Sequence, residues 1–152
     1  MKGDGTMKRY ALKGINDEQH ECAVCGKVEL KRVMWLVALD ADGNQDGDAF
    51  HCGTTCGARL LGYTQSKIST KVKNYKDEVD RKRRSLFYSH PSEVLACEKL
   101  RELNRISERI AMQTGKHMTW QERKNHPLFI EIERLSAEAK AWADAQEILI
   151  EM

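Results

Sequence analysis

In the front part of the chain, one set of apolar residues recurs at every second position of the segment VMWLVAL. An alternation with period two is typical of a half-buried β-strand. MKRYALKGI upstream and AFHC downstream predict two further short strands, and the Asp- and Gly-rich stretch 40–48 predicts the turn of a hairpin. Thr54 or Thr55 is expected to cap a short helix over CGARLLG, which Gly62 ends. The alternating apolar residues are Val33, Trp35, Val37 and Leu39.

After Gly62 the apolar positions recur at steps of three and four, which is the period of an amphipathic helix. Three such stripes predict helices over about 65–87, over about 92–113, and from near Pro127 onward. Thr119 and Glu122 have the spacing of a capping box and predict a short extra turn of helix. The stripes are Ile68, Val72, Tyr75, Val79 and Leu86; Leu100, Leu103, Ile106 and Ile110; and Leu128, Ile132, Leu135, Ala139, Trp142, Gln146 and Leu149.

Strands followed by helices indicate the α+β class. Helices with one apolar face each favour a helical hairpin or a three-helix bundle. We therefore expect a small module over residues 1–63 and a helical region over 64–152. The chain of 152 residues is 41% hydrophobic and 32% charged, and it has neither a membrane-spanning run nor the apolar core of a signal peptide. A cytoplasmic protein without a membrane partner is the expectation.

Cysteine spacing is the strongest chemical signal. A Cys-x2-Cys pair is followed, 26 residues later, by a Cys-x3-Cys pair. Two close pairs of soft ligands suit a tetrahedral structural zinc site, so Cys22, Cys25, Cys52 and Cys56 are the predicted Zn²⁺ ligands. His51 is the substitute if Cys52 does not bind, and four unrelated reduced cysteines are the alternative. Cys97 is expected to be a small buried thiol of the core.

The segments CAVCG and HCGTTCGARLLG resemble those of the treble-clef group of zinc fingers, over about residues 20–63. The resemblance implies a cysteine-bearing turn, a β-hairpin, and a helix that starts with the second cysteine pair. This sequence has three residues between Cys52 and Cys56, where the group usually has two. The fold group serves many functions, so the resemblance does not select one.

The aspartate-rich stretch 40–48 allows two interpretations. DGNQDG, from Asp42, matches the first half of a calcium loop, but its twelfth position is Gly53 and not the Glu that would complete the ligand set. Asp, Asn and Gly are also the residues that hairpin turns require. The turn is the favoured interpretation, and a weak calcium site stays open.

The positive charge is concentrated in one segment. Residues 64–90 carry eight Lys or Arg and three Asp or Glu, a net of +5, although the whole chain carries only +2. A basic helix next to a zinc module favours phosphate contacts, whereas a plain solvated face is the alternative. The candidate nucleic-acid-binding residues are Lys71, Lys73, Arg81, Lys82, Arg83 and Arg84.

Catalysis is not expected, because four cysteines would leave a zinc ion without an open position and the sequence has no other catalytic motif. The leading hypothesis is a non-catalytic regulatory zinc protein that binds nucleic acid or a nucleoprotein complex. The alternative is an adaptor or inhibitor of a larger complex, a type common in phages and mobile elements. Self-association through the C-terminal helices and a metal-dependent nuclease acting through His51 are further alternatives.

Overall fold

The computed structural model describes residues 8–152, in which it has a four-stranded antiparallel sheet and five helices. This confirms the α+β class, while residues 1–7 of the predicted 1–63 module lie outside the described residues. None of the helices in the described part is both long enough and apolar enough to cross a bilayer. The elements in chain order are β1 (Arg9–Asn16), β2 (Val33–Leu39), β3 (Phe50–Cys52), α1 (Thr54–Leu61), α2 (Gln65–Ser89), α3 (Pro91–Thr114), α4 (Trp120–Asn125), α5 (Pro127–Ala145) and β4 (Ile150–Glu151).

The chain divides into two compact units, and the division falls inside α2. The sheet unit comprises Met1–Asp80 and Glu147–Met152, and the helical unit comprises Arg81–Gln146. The division predicted from composition, between residues 63 and 64, separates the cysteine-bearing segment from the helices instead. The predicted boundary between residues 63 and 64 therefore stays a prediction.

The sheet unit is built around β2, which lies inside the strand order β3-β2-β1-β4. The sequence predicts that β2 buries every second residue, yet Met34 and Leu36 are as fully buried as Val33 and Val37. Met34 is covered by α1, because a Cβ placed on Gly57 would overlap the end of the Met34 side chain. An interior strand with contacts on both faces does not keep a simple alternation.

The end of the chain differs from its prediction. Leu149 was expected to continue the apolar stripe of the last helix, but α5 ends at Ala145 and Gln146 is its C-cap in an extended conformation. The chain then forms β4, in which Ile150 pairs with Leu12 of β1. Ile148 and Ile150 are both buried, so these apolar residues complete the sheet unit rather than a helix.

The helical unit contains a helical hairpin, in which α3 packs against α5. Leu103 of α3 and Leu135 and Ala139 of α5 are buried, as the stripes predict, and Ala143, which is not in the predicted stripe, is buried as well. Two members of the stripes, Leu100 and Trp142, remain 39% exposed. The hairpin therefore confirms the positions of the stripes but covers them incompletely.

The two long helices of the hairpin start in the same way. His90 and His126 are the N-caps, and each is followed by a proline in the first turn. In both cases the ring Nδ1 accepts a hydrogen bond of 3.1 Å from a backbone N–H two residues later. The sequence predicts the start of α5 near Pro127, and the structure confirms it with His126 as the N-cap. The capping box of Thr119 and Glu122 at α4 is confirmed.

The loop between β2 and β3 has the hydrogen bonds of a turn. The Asp40 carboxylate accepts the backbone N–H groups of Asp42 and Asn44, each at 2.9 Å. Gly43 and Gly47 adopt φ angles of 83° and 94°, which favour glycine. Within residues 8–152 the acidic side chains of this loop do not converge on a common point. The hydrogen bonds of Asp40 and the conformations of the two glycines therefore support the turn interpretation.

Candidate metal centre

The first cysteine pair lies in a tight backbone turn. The N–H of Cys22 donates to the carbonyl of Lys27, and the N–H of Gly26 donates back to the carbonyl of Cys22, both at 2.8 Å. Gly26 has a φ of 76°, a conformation that glycine adopts without strain. The turn brings Cys22, which is buried, and Cys25, which is exposed, to the same side of the chain.

The second cysteine pair is divided between two elements. Cys52 is the last residue of β3, whereas Cys56 lies in the first turn of α1. Gly53 is the N-cap of α1, with no side-chain capping bond, so Thr54 and Thr55 are helical residues and not the expected caps. A backbone hydrogen bond of 3.1 Å from Ala23 to His51 joins the first turn to β3 just before this site.

Three of the four predicted ligands converge. The sulphur atoms of Cys22, Cys25 and Cys56 all lie within 4.8 Å of one another, and this group can hold a metal ion. Tetrahedral zinc with bonds of about 2.3 Å would need sulphur atoms about 3.8 Å apart, so a small contraction would fit it. Spacing in the sequence therefore picked out the three cysteines that the structure brings together.

Cys52 is not part of this group. It pairs with Met34 across the sheet and has an exposed fraction of 0%. Its Sγ lies 3.6 Å from the point that a Cβ on Gly57 would occupy, under helix α1. Cys52 thus occupies a core position next to the cysteine group.

The histidines near the cysteines have other contacts. The ring of His51, the predicted substitute ligand, packs on the ring of Trp35 with centroids 5.0 Å apart. The Nδ1 atom of His20 lies 2.9 Å from the carbonyl oxygen of Leu30. Among residues 8–152, neither histidine joins the three convergent cysteines.

The thiols influence one another electrostatically. Burial raises the pKa of Cys22, but backbone hydrogen bonds, that of Gly53 first, lower it more, so the pKa falls to about 7. Burial and then the charges of neighbouring thiolates raise the pKa of Cys52 to about 12. A hydrogen bond with Cys25, followed by burial, raises the pKa of Cys56 to about 11. Several thiolates this close together repel one another, and a bound cation would remove that repulsion.

A small cavity lies beside the three cysteines. Its volume is about 60 Å³, and Lys27, Leu30, Thr54 and Thr55 line it together with the cysteines. None of these four residues was among the predicted site residues. Their closeness to Cys25 and Cys56 in the sequence was the one feature that could have indicated that they line the site.

The six basic candidates lie on α2 and are divided between the two units. In the sheet unit, Lys73 is exposed, while the Nζ of Lys71 is 3.9 Å from a carboxylate oxygen of Glu78. In the helical unit the exposed candidates are Arg81, Lys82 and Arg84. Arg83 is half-buried, and its Nε atom is buried without a hydrogen-bond partner in the described part of the chain.

Comparison with known proteins adds no relative: no protein-family model matches this chain, and no curated protein or solved structure is significantly similar to it.

Proposed function

We propose that this is a non-catalytic, zinc-binding regulatory protein that binds nucleic acid or a nucleoprotein complex through α2. The zinc ion would hold the turn at Cys22 and Cys25 to the start of α1. The order of cysteine-bearing turn, β-hairpin and helix supports a treble-clef arrangement of these elements. The donor set supports zinc, because thiolates are the ligands that structural zinc sites prefer.

The observation that carries the nucleic-acid proposal is the local surplus of positive charge on a solvent-exposed helix. Arg81, Lys82 and Arg84 are exposed within one turn of α2. Arg81 and Arg84 are three residues apart and therefore lie side by side on the helix, where they would contact neighbouring phosphates, while Lys82 adds positive charge beside Arg81. Arg83 contributes less to this surface in our proposal, since it is half-buried.

Fluorescence anisotropy with mixed-sequence DNA and RNA, measured over a series of salt concentrations, tests the proposal. We expect the simultaneous charge reversal of Arg81, Lys82 and Arg84 to Glu to weaken binding strongly at low salt. The slope of log affinity against log salt should fall by about one for each cation removed. Equal affinity and slope for the variant and the unchanged protein would refute the assignment.

The matched control reverses three cations on α3 in the same unit. Arg101, Arg105 and Arg109 are exposed, so their replacement by Glu changes the net charge by the same amount. We expect this control to lose much less affinity than the α2 variant. An equal loss in both variants would indicate a response to net charge and not a binding surface on α2.

Exposed apolar side chains favour a second candidate function, that of a protein–protein adaptor. In the helical unit Met112 is 88% exposed, Trp120 is 64% exposed and Ile130 is 59% exposed. The ring of Trp120 contacts Phe129 edge-on with centroids 5.6 Å apart, which leaves much of its surface to solvent. Large exposed apolar side chains are enriched among interface anchors.

If the protein is an adaptor, its binding to a partner depends on these apolar side chains and not on the cations of α2. This candidate function predicts a stable protein partner in native purification that is lost in Trp120→Ala and retained in the α2 charge reversal. It also predicts no salt-sensitive nucleic-acid binding. Light scattering of the purified chain tests the further alternative, self-association through the C-terminal helices, which would give a mass above the 17.4 kDa of one chain.

A further inference from the structure

We propose that Cys22, Cys25 and Cys56 form a three-thiolate metal centre whose fourth position is open to a small external donor, and that Cys52 is a core residue and not a ligand. This inference rests on the metal binding proposed above and changes its character. A closed site with four cysteines only holds the chain together. A site with three protein ligands can also exchange a ligand with its surroundings.

The positions of the sulphur atoms are the first observation. A tetrahedral ion needs four donors, but only three of the described side chains meet at this point. The three belong to two separate segments, the turn at 22–25 and the first turn of α1, so together they can fix the ion. Within residues 8–152 no histidine or carboxylate belongs to this group, and the sulphur of Cys52 lies near the three thiols without being one of the group.

The environment of Cys52 is the second observation. Its backbone is fixed by pairing with Met34, and its side chain is fully buried where α1 crosses the sheet. Gly57, with no side chain of its own, lets α1 approach both Met34 and the Cys52 sulphur. The Cys52 sulphur lies close to the three thiols, but its packing under Gly57 favours its core position, because well-packed cores resist the void that a displaced side chain would leave.

The cavity beside the cysteines is the third observation. Its volume of about 60 Å³ exceeds the roughly 30 Å³ that one water molecule occupies in the liquid, so a small donor fits. Cys25 is exposed, which gives that donor a route from solvent. Lys27 lines the cavity, and its positive charge favours an anionic donor over a neutral one.

A small thiolate meets these requirements best. It is anionic, it is a ligand type that zinc prefers, and it would complete a four-sulphur shell. A thiol from solution would bind as the thiolate, lose its proton to solvent and displace solvent from the fourth position. Neither the ion nor any sulphur changes oxidation state in this exchange.

Cobalt substitution of the full-length protein tests the inference under oxygen-free conditions. The intensity of thiolate-to-cobalt charge transfer reports how many thiolates bind. We expect the same intensity per metal ion in the unchanged protein, in Cys52→Ala and in the control Cys97→Ala, and a large loss in Cys56→Ala. Addition of 2-mercaptoethanol should raise the intensity by about a third, as three thiolates become four.

The opposite results would overturn the inference. If Cys52 is a ligand, Cys52→Ala should lose about a quarter of the intensity, and added thiol should leave the unchanged protein unaffected. X-ray absorption of the zinc-loaded, unchanged protein decides the matter even if Cys52→Ala does not fold. Three sulphur atoms and one lighter atom support the open position, and four sulphur atoms contradict it. A chain that binds no metal at all would instead contradict the proposed zinc function.

Discussion

The sheet unit and the helical unit bury their side chains to different depths. Of the largest side chains that are fully buried in the described residues, those of the sheet unit include Leu12, Leu36 and Ile68, whereas Leu103 is the single representative of the helical unit. Yet two strands of the sheet unit are very short, since β3 has three residues and β4 has two. It therefore combines a deep core with short strands, which the proposed metal ion would help to hold in place.

The helical unit has the reverse combination. Its core is shallow, but α3 and α5 are 24 and 19 residues long, and each has a histidine N-cap followed by a proline. Long helices draw stability from local hydrogen bonds as well as from tertiary contacts. The difference indicates that metal loss should affect the two units unequally, and that each unit has its own sensitive positions.

Metal removal is the perturbation with the largest expected effect. The free energy of zinc binding in small zinc modules is about 10 kcal/mol or more, which exceeds the stability of many domains. We expect a strong chelator to abolish amide hydrogen-exchange protection in β2 and β3 and to leave protection in α3 and α5 largely intact. Equal loss in both units would contradict the separation, and no loss in either unit would contradict a stabilising metal ion.

Truncation of Leu103 is the corresponding test of the helical unit. This side chain is fully buried on α3, so Leu103→Ala should lower the free energy of unfolding by about 2–5 kcal/mol. Leu100 lies on the same stripe of α3 but is 39% exposed, so Leu100→Ala is the matched control and should cost clearly less. Urea denaturation followed by helical circular dichroism measures both. Similar costs would mean that the hairpin buries Leu100 as well.

Gly57 tests how closely α1 approaches the sheet. Gly57→Ala would force the end of the buried Met34 side chain to move, and because that end is flexible and Ala favours a helix, we expect the lower part of the overpacking range of about 1–3 kcal/mol. Gly14 has a negative φ and no atom within 4 Å of an added Cβ, so Gly14→Ala is the control in the same unit. Thermal unfolding of the metal-loaded protein should separate the two variants. A Gly57→Ala variant as stable as Gly14→Ala would contradict the close approach.

The histidine cap of α5 has the smallest expected effect. His126→Ala removes the acceptor for the Leu128 N–H and should lower the free energy of unfolding by about 1 kcal/mol. His126→Asn supplies another capping oxygen and should recover most of the loss. His117→Ala, at an exposed position outside the helices, should have almost no effect. If His126→Ala equals His117→Ala in urea denaturation, the cap contributes nothing.

Local signals in the sequence predicted the helices and strands well. They could not predict contacts between residues that are far apart along the chain. The stripes located the helices, and Thr119 and Glu122 identified their capping box, because both depend on neighbours within a few residues. The pairing of Ile150 with Leu12 joins the two ends of the chain, and no periodicity encodes it. Leu149 matches the spacing of the α5 stripe only by coincidence, because it lies beyond the end of that helix.

The metal centre shows the same limit. Cysteine spacing picked out Cys22, Cys25 and Cys56, whose sulphur atoms converge, but it gave Cys52 the same weight, because spacing along the chain does not show how tightly a side chain packs in the core. The burial of Cys52 depends on how α1 crosses β2 at Gly57, which is a tertiary contact. The basic residues of α2 were equally visible in the sequence, but the half-burial of Arg83 was not.

Metal content of the purified full-length chain tests the central claim most directly. The account predicts one equivalent of zinc by elemental analysis and native mass spectrometry, and loss of that zinc in Cys25→Ser. Cys25 is exposed, so this variant removes a ligand without disturbing the core. An unchanged protein without stoichiometric metal, or a Cys25→Ser variant that retains zinc with full affinity, would contradict the claim.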